Sequence, residues 1–304
     1  MPTKKTHWII LLYHDVSWEE NSFINRIGGT CPPDIFREHL DIISSYGNIV
    51  SIKEGLESTL KNESADVLFS FWFDDGFRGV RKYAMPYLNE FGVTGAISIC
   101  SKFISKEDLF WRSKLSFIAE VDGMRFLRSK LKQEGYAITT SVRDFVMDNI
   151  SGGIIRKIDE VYKLFANDIV QMDAFRIFDD VAGIKKLHAN GWVIANHTAS
   201  HFPISENNFL HKSLEEFYEC DKFAQTHMNI DPEFWVVPFD RAAKRSEKFR
   251  SLFESSRSGK HLVYVGNRPN TRENLSRKKL FRFGAKILAE KEFKEAVEII
   301  LSGL

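Results

Sequence analysis

Two short stretches hold residues whose types and spacing could do chemistry. Asp74 and Asp75 stand side by side where the apolar run 67–73 (VLFSFWF) ends, and Gly76 follows them. His197 and His201 lie four positions apart, just after a second apolar run at 192–196 (WVIAN). Adjacent carboxylates repel each other unless a cation or a shared proton intervenes, although an aspartate after a strand also serves simply to cap the next helix. Histidines at i and i+4 share one face of a helical turn. Two of them with one carboxylate make a three-ligand site that leaves positions for water. One aspartate completes such a site, and the other is left beside it as a free base. A divalent metal there stabilises both carboxylates as anions. It also lowers the pKa of a bound water, so that the free aspartate takes the proton and hydroxide attacks a polarised carbonyl. That is hydrolytic chemistry suited to an amide. Zinc is the favoured ion, with iron, cobalt and nickel left open because such a ligand set selects weakly.

These residues need a frame that brings the ends of distant apolar runs together. Runs at 8–13, 67–73, 94–100, 192–196, 234–237, 262–265 and 279–283 read as strands, several continuous enough to be buried on both faces. Helical patterns separate them: 33–46 opened by Pro33 and stopped by Gly47, 53–61, 79–91 with Pro86 expected to kink or restart it, 210–228, 244–256 and 291–304. Residues 15–30 read as a loop and 48–51 as a weak strand. Strands alternating with helices imply a parallel sheet or barrel, with its chemistry at the C-terminal ends of the strands. Between 103 and 190 the alternation breaks, with helical patterns at 106–120, 142–149, 154–169 and 173–190. The expectation is one α/β domain over residues 1–304, an irregular barrel with an inserted helical subdomain at about 103–172. Such an insertion could form a lid or one wall of a substrate cleft, the other reading being a peripheral packing elaboration.

Composition narrows the classes of function. Lys and Arg (42) nearly cancel Asp and Glu (41), so the basic footprint of a nucleic-acid binder is missing. Three cysteines without a C-x-x-C pair argue against a disulfide framework or a zinc knuckle. No run approaches a transmembrane segment, and the first apolar run is too short for a signal-peptide core, so a cytoplasmic location is expected. The sequence carries no signature of oligomeric state.

Residues 73–76 (FDDG) resemble the first motif of the NodB-type polysaccharide deacetylases, carbohydrate esterase family 4. Residues 196–201 (NHTASH) resemble their second, N-H-[ST]-x-x-H, and residues 12–16 (LYHDV) are similar to the opening of the branch that includes poly-N-acetylglucosamine deacetylases. Residues 83–95 match the helix-to-strand segment usual after the first motif, and the likeness covers most of the chain outside 103–180. It implies a distorted (β/α)7-type barrel that removes acetyl from an N-acetylated sugar or oligosaccharide in surface-glycan biosynthesis. Carried over by position, Asp74 would be the catalytic base, with Asp75, His197 and His201 as metal ligands. Residues 237–240 (VPFD) fall at the third motif, R-x-P-[FY]-G, which gives the Phe239 backbone N–H a part in holding the oxyanion.

The departures are specific. Val236 stands where many members have the arginine that orients the base, and Asp240 replaces the usual glycine. No D-x-x-D-W-type fourth motif is found. The L-x-x-H motif that supplies the general acid is replaced at 280–283 (LFRF), with Arg282 and no histidine. His14, ending the first strand, is the expected substitute donor, the other reading being a hydrogen-bonded structural histidine. Arg241 or Arg282 is the candidate for the missing orienting arginine. These erosions leave two alternatives: a glycan-binding homologue without turnover, or a hydrolase of another non-peptide C–N bond. An iron oxygenase built on two histidines and a carboxylate is disfavoured by the alternating β/α pattern.

Overall fold

The computed structural model describes residues 6–61, 66–202, 210–239, 247–256, 259–284 and 290–303. Among the described residues ten strands are formed: β1 (His7–Tyr13), β2 (Asp15–Val16), β3 (Thr30–Cys31), β4 (Asn48–Ile49), β5 (Val67–Phe73), β6 (Ala96–Ile99), β7 (Val193–Asn196), β8 (Phe234–Val236), β9 (His261–Val265) and β10 (Lys279–Gly284). β1 pairs with β10 on one side and β5 on the other, and the ring closes through β6, β7, β8 and β9. The result is a closed barrel of seven parallel strands wrapped by helices. Its distortion lies at β5, whose outer edge is shared: Leu68 faces Asn48 of β4, and Trp72 faces Ala96 of β6.

Alternation along each strand explains both faces. Trp8, Ile10, Leu68, Trp72, Ala96, Ala195, Val236, Val263 and Leu280 fill one buried cluster inside the ring. Their neighbours Ile9, Leu11, Tyr13, Phe69, Phe71, Phe73, Ile97 and Ile99 pack outward beneath the helices. Burial on both sides is why these strands read as continuous apolar runs; each fully buried Phe contributes about 1.5–3 kcal/mol. The indoles that fill the barrel need partners for their N–H groups. Ser70 accepts from Trp8 Nε1 at 2.9 Å and Ser98 from Trp72 Nε1 at 2.8 Å.

Several elements differ from expectation. The stretch 15–30 holds β2 and the first residue of β3, which pair in parallel as a small separate sheet. The irregularity at 79–91 is a π-helical turn, Val80–Ala84, running into the helix Met85–Glu90. Pro86 sits in that helix's first turn, where the α-helix restarts after the π-helical turn, as expected of a proline there. The helix expected at 173–190 is two, Asp168–Phe175 and Val181–Ala189. The break is made by Phe178, which bridges to Phe77, and by Asp180, which caps the second helix through the Gly183 N–H at 2.8 Å. The helix expected at 106–120 starts only at Trp111, that at 154–169 is Gly152–Phe165, and Met124–Gln133 was not anticipated.

The helices between Ser101 and Phe175 bury Phe103, Phe110, Leu115, Ile118, Leu127 and Ile158 in a cluster of their own. The segment before β3 adds Phe23, which stacks on Phe117 at 4.8 Å. No described helix is long and apolar enough to cross a membrane.

Candidate metal centre

The parity that turns Leu68, Ser70 and Trp72 inward also brings Asp74 to the barrel mouth. Its backbone N–H donates to the Tyr13 carbonyl at 3.0 Å. Its Oδ1 accepts from Arg282 Nη1 at 2.6 Å and from the Ser98 hydroxyl. Arg282 shares the inward parity of Leu280 on β10, is 1% exposed, and lies over the Trp72 ring at 5.4 Å. Burial alone would raise the Asp74 pKa; the Arg282 charge, then His197 and His14, hold it well below the usual carboxylate range.

Asp75 follows with the opposite parity, and a left-handed backbone (φ 73°) redirects it. Gly76 continues the turn at φ 77°, a conformation glycine adopts without steric cost. Asp75 Oδ1 then lies 3.5 Å from His197 Nε2 and 3.3 Å from His201 Nε2. The candidate ligand atoms of these three residues all fall within 4.8 Å of one another. The oxygen is buried and accepts no hydrogen bond. Burial, and then the neighbouring Asp74 charge, push the Asp75 carboxyl up to about 8. Burial also lowers both imidazoles, His201 strongly. His197 Nδ1 meets the Val236 carbonyl at 2.9 Å, which places its proton there and leaves Nε2 as an electron-pair donor. An orphaned buried carboxylate oxygen facing two neutral imidazoles is a donor set that fits a dication.

The histidine pair does not lie on a helical turn. Residues 197–201 form an irregular loop with Thr198 at φ 72° and His201 at φ 52°. Asp75, Thr198, His201 and Phe239 are four of the eight described non-glycine residues with positive φ. Such residues cost about 1–3 kcal/mol each and collect where function over-determines the backbone. The helix Leu210–Met228 holds the loop in place. Asn196 Nδ2 donates to Asp221 Oδ1 and to the Phe217 carbonyl, each at 2.7 Å, while Asn196 Oδ1 accepts the Thr198 N–H at 2.8 Å. Glu216 accepts the Ser200 N–H at 2.7 Å and its hydroxyl.

His14 lies on the same barrel face, close enough that Asp74, Arg112, His197 and Arg282 act on its charge. Burial brings its pKa down to about 4. Gly29 packs against its Cβ, and its ring makes no hydrogen bond among the described residues. Phe239, at φ 47°, sets its ring edge-on to His201 at 4.8 Å and 5.7 Å from Trp111. Its backbone N–H makes no hydrogen bond among the described residues. Asp240 and Arg241 lie outside the described residues, and the arginine found against Asp74 is Arg282.

Sequence reasoning missed Ser98, Glu216 and Asp221, and it missed Arg112, whose charge acts on Asp75. Ser98 had a faint signal, a polar residue at an inward position of an apolar strand. The two helix acids had none, because they read as ordinary solvent-facing residues.

No family model matches the sequence, and no curated protein matches it. Solved structures do. The deacetylase PplD of Streptococcus pyogenes, in complex with acetate, matches with a TM-score of 0.59 at 12% identity over 96% of this chain and 98% of that one. A de-N-acetylase from Aggregatibacter actinomycetemcomitans gives 0.60 at 12% identity, covering 94% and 99%. IcaB from Ammonifex degensii gives 0.58 at 12% identity, covering 96% of each.

Proposed function

From the fold of the NodB-type polysaccharide deacetylases, which this chain has, we propose that it hydrolyses the amide of an N-acetylated amino sugar with a divalent metal as cofactor. The observation that carries this is the unbonded Asp75 oxygen facing His197 and His201, with Asp74 kept ionised beside it by Arg282. Asp75, His197 and His201 would hold the ion, and their donor types favour zinc. When bound, the ion supplies Lewis acidity toward an acyl oxygen and a water.

The chain's own residues do the rest. Asp74 Oδ1 is taken by Arg282 and Ser98, so Oδ2, 3.7 Å from His197 Nε2, is the oxygen left to receive a proton from water. Arg282 keeps that carboxylate ionised and fixes its rotation. The Phe239 N–H offers a donor to the acyl oxygen as negative charge develops there. His14 is neutral at rest, so it acts as a relay: one ring nitrogen gives its proton to the departing amine while the other receives the proton collected by Asp74. Phe239, part-exposed and backed by the buried Trp111 ring, offers an aromatic face to the sugar.

The base and all three metal donors are present, which favours turnover over glycan binding alone. The test is acetate release from a panel of N-acetylated sugars and oligomers, neutral and charged, by zinc- or cobalt-loaded protein. Release that a chelator abolishes is expected. A metal-loaded protein that frees acyl from none of them overturns the reading.

A further inference from the structure

On the helical body, an open cavity of about 200 Å³ has three arginines in its wall, Arg26, Arg112 and Arg143. They come from three separate segments: the stretch before β3, the helix Trp111–Glu120 and the helix Val142–Asn149. Backbone carbonyls hold two of them, Arg112 Nη2 donating to the Ile27 carbonyl at 2.6 Å and Arg143 Nη2 to the Arg26 carbonyl at 3.0 Å. Arg26 meets a carboxylate, Glu120, at 2.7 Å. Among the described residues, Arg112 and Arg143 meet none within ion-pair distance; burial and the Arg143 charge disfavour the charged form of Arg112, against an opposing pull from Asp75. Leu115, Met124 and Met147 line the remaining wall.

Gathering guanidinium groups around an apolar-floored cavity is unfavourable unless an anion joins them. With Glu120 offsetting Arg26, two positive charges stay unbalanced. A phosphoryl group carries about −1.5 to −2 at neutral pH, and arginine forks match its oxygens bidentately. Arg112 also connects the cavity to the metal centre. The adjacent Trp111 ring touches Phe239, Phe110 packs on His201, and the Arg112 charge acts on Asp75 and His14.

We propose that this cavity binds a phosphoryl group carried by the substrate, so that the sugar presented to the metal centre is a phosphorylated acylamino sugar. In a 2-acylamino sugar the anomeric carbon adjoins the carbon bearing the amide. On this proposal, one ring therefore directs its acyl group to Asp75, His197 and His201 and an anomeric phosphate to Arg112 and Arg143. The same chemistry is offered by a free sugar 1-phosphate, a nucleoside diphosphate sugar or a lipid diphosphate sugar. The substrate half of this inference rests on the deacetylation reading; the anion site does not.

Two measurements test it. Titration of Asp74→Asn protein with N-acetylhexosamine 1-phosphate should show binding at least tenfold tighter than with the unphosphorylated sugar. The exposed Arg143 allows substitution without disturbing the core, and adding Arg143→Ala or Arg143→Gln should remove most of that preference, with Arg143→Lys between. In the otherwise unaltered protein, kcat/KM for phosphorylated over neutral substrates should be at least tenfold, and should fall at least tenfold in Arg143→Ala. Comparing the three phosphorylated carriers identifies the natural one. Equal binding and turnover of phosphorylated and neutral sugars, indifferent to Arg143, overturns the inference and leaves deacetylation standing. Phosphate-dependent binding that needs Arg143, with no acetate released from any carrier, leaves the anion site standing and removes deacetylation.

Discussion

Arg282 Nη1 lies 2.6 Å from Asp74 Oδ1 although 208 positions separate the two residues, and the pair is buried at the barrel mouth. The arginine that meets Asp74, the proposed base, therefore comes from β10, not from position 236 at the end of β8 where the sequence resemblance would seek it. Replacing it as Arg282→Met leaves a buried carboxylate without its partner, a loss of about 3–5 kcal/mol in stability. The sign follows from the depressed Asp74 pKa. A depressed carboxylate contributes stability above its unfolded value and loses it as pH falls, so the gap between native and variant protein is widest near neutrality and narrows in acid. In the variant, burial dominates and the Asp74 pKa rises. The acid limb of kcat/KM should then move to higher pH, with a loss of about 100-fold at pH 6. An unmoved acid limb would detach Arg282 from the base.

Metal uptake should release a proton, and the release should depend on pH. Without the ion, burial and Asp74 hold the Asp75 carboxyl near 8, while both imidazoles are already neutral. Binding at pH 7 therefore displaces about one proton from Asp75 and at pH 9 almost none from it, any ionisation of a metal-bound water adding to both counts. Calorimetry in buffers of different ionisation enthalpy counts these protons directly. Zinc at 100 times its Kd should also raise stability by about 2.7 kcal/mol, an increment that Asp75→Asn and His201→Ala should each lose. A proton count of zero at both pH values would exclude Asp75 from the ligand set.

If His14 relays a proton to the leaving nitrogen, its importance depends on how much that group needs one. His14→Gln should lower kcat for an N-acetyl sugar by about 100-fold or more, within the range of general acid catalysis. An activated aryl acetate leaves as a stable anion and should lose far less. Equal losses on both substrates would make His14 a structural residue of the Gly29 contact.

The strands, the two acids and the two histidines were legible because each is a local signal: a continuous apolar run, then polar residues at its C-terminal end. Barrel closure was legible only as a class, since no run states that β1 pairs with both β5 and β10. The histidine spacing suggested the right partners through the wrong geometry. Four positions can be bridged by a helical turn or by a loop with two left-handed residues, and the latter is what forms here. Arg282 was readable as a charge inside an apolar strand, but its partner was not, because the pairing spans the barrel. Glu216 and Asp221 act only through the fold, which brings their helix against the 197–201 loop.

Asp15 supplies a prediction about stability alone. It is 4% exposed, sits in the small β2–β3 pair, and its Oδ1 has no hydrogen-bond partner. Burial raises its pKa from 3.8 to about 7, against weaker pulls downward from the Val16 backbone and the Thr30 hydroxyl. The folded protein thus holds a proton there that the unfolded chain has lost, across the window from about 4 to about 7. Stability from this group is fully present below the lower value and drains away as pH rises through the upper one. At 1.36 kcal/mol per unit, the ionised form is disfavoured by at most about 4 kcal/mol. Asn at this position is neutral throughout, so Asp15→Asn should match the native protein near pH 4 and melt several degrees higher above pH 7, at about 2–4 °C per kcal/mol. Thermal melts across that range check it. A difference in Tm that stays constant from pH 4 to 8 would mean that Asp15 does not change its protonation on folding.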